Sequence, residues 1–270
     1  WSRGLGDVYK RQEHALESEF EFSDSRGRTI AACPAPANQA IRAASVATAM
    51  FAEANTFLLH SLGSATKRIY LDFDGHTTTG TGWNSGRSAT IVTAAYDTDG
   101  RTGFSSVELA AIQQIWARVS EDFAPFDVDV TTEAPSVDDL VNTGGRDSRW
   151  GIRVAIGGSS ADWLHAQGVG GIAYIGSYGT DVDTPAFVFS RGYSIAADVA
   201  EAVSHEVGHT LGLFHDGRTT PVEPYFGGHG SGATSWAPIM GTGYGHEVTQ
   251  WSRGEYAYAD NPEDDLAIIT

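Results

Sequence analysis

The chain has 270 residues, 41% of them hydrophobic, and its 34 acidic residues against 17 basic ones give a formal charge of −17. This excess of acid argues against a nucleic-acid partner, because binding to phosphates relies on Lys and Arg. The single cysteine, Cys33, excludes an internal disulfide, and no apolar run approaches the roughly 20 residues that a membrane span needs. Length and composition fit one globular domain with an added segment, or two small lobes that share a cleft.

Both ends of the chain are expected to be cut. DVYKRQ resembles one reading frame of a transposase adapter used in sequencing libraries, so residues 1–12 are interpreted as an artefact. Residues 13–63 form an N-terminal segment of mixed composition. The chain ends in LAIIT, within what is predicted as a strand or a helix.

Five strands are predicted between residues 67 and 190. In KRIYLDFDG the apolar Ile69, Leu71 and Phe73 alternate with polar neighbours, and the strand ends at Gly75. The other four are predicted in FDVDVTT, GIRVAIGG, GGIAYIGSYG and PAFVFS. Glycines flank GGIAYIGSYG, which is typical of a strand at the edge of a sheet.

Two long helices are predicted, with a third near the C-terminus. The first covers SSVELAAIQQIWARVSEDF, with Ser105 or Ser106 as its N-cap. Ser194 is expected to cap the second, whose apolar stripe comprises Ile195, Val199, Val203, Val207 and Leu211. The third is predicted in HEVTQWSRGEYAYA. This order predicts a mixed α/β or α+β lobe, followed by a smaller irregular lobe.

The second long helix carries a candidate zinc site. His205 and His209 are four residues apart, so both imidazoles lie on one face at the separation that a single tetrahedral ion needs. Glu206 reaches the same open side, where it could accept a proton from an attacking water and return it to a leaving amine.

A third ligand follows the helix. Gly212 can adopt a positive φ and turn the chain sharply, which lets His215 return to the ion. Three neutral imidazoles leave Zn²⁺ its full charge and an open fourth position, as in a catalytic site, whereas a structural site would have four protein ligands.

The stretch HEVGHTLGLFHD resembles the signature HExxHxxGxxH of the metzincin zinc peptidases, and Asp216 resembles their reprolysin (adamalysin-like) branch. Metzincins also have a methionine turn, and SWAPIMGTGY supplies Met240. The resemblance covers roughly residues 64–260. Because the disulfides of reprolysins are absent, a bacterial reprolysin-like family is implied.

The resemblance implies a fold and a division of the chain. The fold is α+β, with a five-stranded, mostly parallel twisted sheet, an antiparallel edge strand and two main helices. Residues 64–212 would form the upper lobe and 213–270 the lower lobe of the catalytic domain, with the zinc cleft between them. Residues 13–63 would then include a propeptide remnant.

The resemblance also implies roles for individual residues. His205, His209 and His215 would bind zinc, Glu206 would be the general base, and Met240 would form a hydrophobic floor. Asp216 would be a structural, hydrogen-bonded acid behind the third ligand. In GVGGIAYIG, an extended substrate would pair with the strand residues Gly171, Ile172, Ala173 and Tyr174.

Two further positions have open alternatives. Some metzincins place a tyrosine two residues after the methionine as a zinc ligand or oxyanion donor, but that position here is Thr242 and the tyrosine is Tyr244. In several metzincins a propeptide thiolate fills the open zinc position, so Cys33 is either a latency switch or an incidental thiol.

Calcium is a second candidate cofactor. The acidic pairs Asp72/Asp74, Asp97/Asp99 and Asp181/Asp183 could bind it, and DTDG resembles the start of a calcium loop. Solvated acids at strand ends are the alternative. The remaining histidines considered are expected to be structural or at the surface: His76, His165, His229 and His246.

These patterns predict a secreted, monomeric zinc endopeptidase that acts on proteins or peptides. One alternative is a matrix or surface binding module that has lost proteolysis, against which stands the complete set of ligands and base. Another is hydrolysis of a non-peptide amide, which the predicted edge strand disfavours.

Overall fold

The computed structural model describes residues 21–36, 48–85 and 88–270. The expectation for residues 1–12 lies outside these residues. Thirteen strands are described: β1 Glu21–Ser23, β2 Thr29–Pro34, β3 Lys67–Asp72, β4 His76–Thr79, β5 Thr90–Thr93, β6 Val128–Thr131, β7 Trp150–Ile156, β8 Val169–Tyr174, β9 Ala186–Val188, β10 Arg218–Thr219, β11 Val222–Glu223, β12 Trp236–Pro238 and β13 Val248–Gln250. The helices are α1 Ser106–Asp122, α2 Ser160–Trp163, α3 Ala196–Thr210 and α4 Asp265–Ile269.

A central sheet contains all five predicted strands. Its order is β1-β2-β8-β9-β7-β3-β6. Strands β6, β3, β7 and β9 are parallel, and β8 is antiparallel to β9. The fold is therefore mixed α+β with a mainly parallel core to its sheet, as predicted.

The predicted edge strand is not at the edge. Strand β2 pairs antiparallel with β8, with Ala31 opposite Ala173 and Cys33 opposite Gly171, and β1 pairs with β2. The sheet therefore has seven strands among the described residues and not five. The prediction missed β2 because a short run in the N-terminal segment gives no local sign of its distant partner.

Helices α1 and α3 pack on one face of the sheet. The shared core includes Ile69 and Leu71 of β3, Ile112 of α1, and Val203 and Val207 of α3. Ser105 caps α1 through a capping box with Glu108. For α3 the prediction of Ser194 as N-cap is wrong: extended Ile195 occupies that position, without a side-chain cap, so the helix begins one residue later.

Beyond α3 the chain is irregular, as predicted, but the helix predicted in residues 246–259 is wrong. This stretch contains only the short strand β13, which pairs in parallel with β12. Gly254 and Tyr258 have φ angles of 75° and 65°, which a right-handed helix excludes. Residues 266–269 of the C-terminal LAIIT are helical and lie in α4.

No helix within the described ranges is long and apolar enough to cross a membrane.

Candidate metal centre

Helix α3 and the turn after it bring three histidines together. The ring centroids are 4.8 Å apart for His205 and His209, 4.6 Å for His209 and His215, and 5.3 Å for His205 and His215. Gly212 has a φ of 107°, as predicted, and its amide donates to the His209 carbonyl at 2.9 Å. This left-handed turn allows His215 to return to the helical pair.

Backbone carbonyls orient two of these rings. His205 Nδ1 lies 2.7 Å from the Ile239 carbonyl oxygen, and His209 Nδ1 lies 2.8 Å from that of Leu213. Because a carbonyl only accepts hydrogen bonds, each Nδ1 must carry the proton, which leaves a lone pair on Nε2. In both residues the Nε2 atom is therefore available as a metal ligand.

The three histidine rings are buried, and burial favours neutral imidazoles. Burial lowers the pKa of His205 to about 4, and burial together with the neighbouring histidines lowers the pKa values of His209 and His215 well below 6.5. His209 Nε2 and His215 Nε2 are only 2.9 Å apart, and His205 Nε2 is buried without a partner among the described residues. Neutral, converging nitrogen donors fit Zn²⁺.

Cys33 of β2 is the fourth side chain at the centre. Its Sγ lies 3.4 Å from both His209 Nε2 and His215 Nε2. Ligand atoms of Cys33 and the three histidines all lie within 4.8 Å of one another. Burial, and next the nearby Glu206 carboxylate, raise the pKa of the Cys33 thiol well above its usual value.

Glu206 lies beside the centre and against β8. The side chain is fully buried, neither carboxylate oxygen has a hydrogen-bond partner among the described residues, and burial raises its pKa well above 4.5. A Cβ on Gly171 would lie 2.6 Å from Glu206 Cδ. Only glycine at this position lets the glutamate occupy its place beside the strand.

Met240 is buried against helix α3 and the turn that follows it. It is fully buried with Leu213 and Ile239, and its Sδ packs against Gly208 in the helix between the two ligands. Its carbonyl oxygen accepts the Asp216 amide at 2.8 Å. The methionine turn therefore supports the loop that carries His215.

Asp216 differs from the prediction. It is 1% exposed and lies behind His215, but neither of its carboxylate oxygens has a hydrogen-bond partner among the described residues. The expected hydrogen-bonded acid is thus buried without the partners that a carboxylate needs.

Two buried tyrosines form a pair near Cys33 and Glu206. Tyr193 Oη lies 3.2 Å from Tyr244 Oη. Burial raises the pKa of each phenol, and the charges of Glu206 and Cys33 add to the effect. Tyr244 lines a cavity of about 170 Å³ with Cys33, His205, Glu206 and Thr242. Tyr193 had no local signal in the sequence, because only the tertiary fold brings it here.

The four residues predicted to bind substrate are engaged by the chain's own N-terminal segment. Gly171, Ile172, Ala173 and Tyr174 are paired with β2. Ile172 is buried against Trp83 and Phe187, and the Tyr174 hydroxyl donates to Asp24 Oδ2 at 3.2 Å.

The candidate calcium ligands separate into two groups. Asp97 and Asp99 lie close to Glu108, but Glu108 Oε1 accepts from the Thr98 amide at 2.7 Å and Asp97 Oδ1 accepts from Gly100 at 2.7 Å. Asp72 and Asp183 both pair with Arg153, at 2.6 and 2.9 Å. A guanidinium therefore neutralises these two acids.

A family model matches part of the chain. Residues 127–216, about a third of the chain, match a model described as metallo-peptidase family M12B, reprolysin-like. This segment is reprolysin-like. The match begins just before β6 and ends at Asp216, so it includes Glu206 and the three histidines His205, His209 and His215. A comparison with curated proteins found no match.

Proposed function

We propose that the chain is a zinc-dependent endopeptidase. The observation that carries the proposal is the set of three neutral histidines whose ring nitrogens converge beside the unpartnered carboxylate of Glu206. The reprolysin-like segment supports a metallopeptidase. His205, His209 and His215 would hold the ion.

Zinc would supply a Lewis acid that polarises a peptide carbonyl and makes a water more acidic. Glu206 would take the proton of the attacking water and transfer it to the departing amine. Glu206 lines the same cavity as His205, which suits both transfers. Tyr244, paired with Tyr193, lines the same cavity and could donate its hydroxyl to the developing oxyanion.

A substrate would bind as an extended strand along β8. The strand already accepts an extended segment: β2 pairs with it from Ile30 to Pro34. Backbone pairing of this kind gives affinity for peptides of many sequences. We therefore propose protein or peptide substrates that take the place of β2.

We further propose that the described form is latent. Strand β2 covers the substrate-binding strand, and Cys33 Sγ lies 3.4 Å from each of two of the proposed ligand nitrogens, where it would fill the open coordination position. The segment that contains β2 would thus block both the substrate-binding strand and the open position on the metal. Of the two alternatives for Cys33, this placement favours the latency switch.

The peptidase proposal is tested with a mixed peptide library. Protein that has been activated by removal of the thiol contact is expected to bind one equivalent of zinc and to cleave peptides. Cleavage should stop on chelation and in Glu206→Gln. Full zinc occupancy without any Glu206-dependent cleavage would contradict the proposal.

Ligation by Cys33 is tested separately, with Co²⁺ in place of zinc. A thiolate-to-cobalt charge-transfer band is expected in the wild-type protein and should be absent from Cys33→Ser. A spectrum that does not change on this substitution would contradict the latency proposal and leave the peptidase proposal standing.

Secretion, a bacterial source and a monomeric state stay predictions from the sequence. A latent peptidase is suited to export, because it does not act before it leaves the cell.

A further inference from the structure

A second group of acidic side chains lies around residues 214–217, the loop that carries His215 and is called the zinc loop below. Asp216 and Asp265 are 1% and 0% exposed. Both oxygens of Asp216 and Oδ1 of Asp265 are buried without a hydrogen-bond partner among the described residues. The remaining oxygen, Asp265 Oδ2, accepts from the Ser252 amide at 2.9 Å.

The surroundings of Asp216 are acidic. The neighbouring charges that act on its carboxylate are those of Asp265, Glu263 and Asp260. The last two acids bind the backbone of the zinc loop: Glu263 Oε2 accepts from the Phe214 amide at 3.0 Å, and Asp260 Oδ1 from Gly217 at 2.9 Å. Several acids thus converge on one loop, and their charges oppose one another.

A bound cation would satisfy the three buried carboxylate oxygens that have no partner among the described residues. Buried polar atoms in folded proteins are almost always satisfied, and buried carboxylates are paired or bind metals. Oxygen donors of this kind fit Ca²⁺, which takes six to eight oxygens in flexible geometry, whereas Zn²⁺ prefers nitrogen and sulfur.

We propose that a calcium ion binds between Asp216 and Asp265 and joins the loop of the third histidine to helix α4. Water and backbone carbonyls would complete its coordination. The Asp97, Asp99 and Glu108 group does not qualify in the same way, because amide and hydroxyl donors already bind its oxygens. The proposal does not rest on peptidase activity.

The ion has a mechanical role in this arrangement. Asp216 is also tied to the methionine turn, through its amide and the Met240 carbonyl, and to Phe226, whose amide donates to the Asp216 carbonyl at 2.7 Å. An ion at the carboxylate would fix the side chain of a residue whose backbone is already held. Calcium would therefore stiffen the support of His215 without entering the zinc site.

The test is calcium titration of the zinc-loaded full chain by calorimetry, with zinc content measured throughout. One equivalent of Ca²⁺ is expected to bind and to raise the melting temperature, since a ligand of the folded state stabilises it by mass action. Mg²⁺ should bind much more weakly. Asp265→Asn should weaken calcium binding about tenfold or more, while the matched variant Asp97→Asn should bind as the wild type does.

A second measurement does not depend on variant folding. Crystals of the wild-type protein soaked in Tb³⁺ should give an anomalous peak within about 2.6 Å of carboxylate oxygens of Asp216 and Asp265. Absence of calcium binding by the wild type would overturn the proposal. So would a peak only at Asp97 and Asp99, or calcium binding that Asp97→Asn removes and Asp265→Asn does not.

Discussion

The position of the proposed general base depends on a single glycine. Gly171 lies on β8 with its Cα against the Glu206 side chain, and an added Cβ would lie 2.6 Å from Cδ. The carboxylate cannot keep its place once this space is filled. Neither of its oxygens has a partner among the described residues that would hold it elsewhere.

Gly171→Ala, measured in protein activated by Cys33→Ser, is therefore expected to lower kcat with zinc content unchanged. Misplacement of a catalytic group by about 1 Å can cost about 10²-fold. The matched control is Gly63→Ala, whose Cβ would meet only His60 at 3.7 Å. Equal kcat values for the two variants would contradict this role of Gly171.

His60 provides a pH-dependent contact far from the metal centre. Its ring nitrogens lie 2.7 Å from Asp129 Oδ2 and 2.7 Å from Glu133 Oε2. Burial alone would lower its pKa, but the hydrogen bonds to Glu133 and Asp129 outweigh burial, so the pKa is raised above 6.5. A raised pKa in the folded state means that the protonated form stabilises the fold.

His60→Gln is expected to lose about 0.5–1 kcal/mol of stability, and only at low pH. The contribution is fully present below the unfolded pKa of about 6.5 and disappears as pH rises through the higher folded value. Urea unfolding of both proteins across this range measures it. A stability difference that grows with increasing pH would show that the sign is wrong.

At the scale of elements, the site depends on α3 packing against both α1 and the sheet. The buried side of α1 includes Ile112 and Ile115, and these pack in the same core as Val203 and Val207 of α3. Burial of such side chains is the main stabilising contribution to helix packing. The histidines keep their positions because the opposite face of their helix is fixed.

Ile112→Ala is expected to lower the free energy of unfolding by about 2–5 kcal/mol, through lost burial and the cavity that remains. Val107→Ala on the same helix is the control, since Val107 is 58% exposed and should have little effect. Chemical denaturation of both variants makes the comparison. Similar losses for the two would contradict the packing described for α1.

The elements that could be predicted are those with local signals. Alternating residues in β3 and the apolar stripe of α3 are visible within one window, and the three candidate zinc ligands share one short sequence motif with Glu206. Strand β2 and Tyr193 could not be predicted, because their roles come from contacts with distant segments. The helix predicted in residues 246–259 was wrong for a different reason. Apolar residues recur near Trp251, but Gly254 adopts a positive φ, which a helix does not allow.

At the scale of the whole molecule, the N-terminal strands β1 and β2 belong both to the fold and to the proposed latency mechanism. Strands β1 and β2 complete the seven-stranded sheet and at the same time cover the strand that would bind substrate. Cys33 adds a contact at the metal centre from the same strand. Under the latency proposal, loss of the Cys33 contact would open the metal position and remove one contact that holds β2, and a peptide substrate could then replace β2 on β8.

The most direct test compares peptide hydrolysis by three zinc-loaded proteins: the wild type, Cys33→Ser, and the double variant Cys33→Ser/Glu206→Gln. We expect a nearly silent wild type, a marked gain of cleavage in Cys33→Ser, and a loss of about 10²–10⁴-fold on adding Glu206→Gln. Cleavage by the double variant equal to that of Cys33→Ser would contradict the central claim that this chain is a latent zinc peptidase with Glu206 as its base.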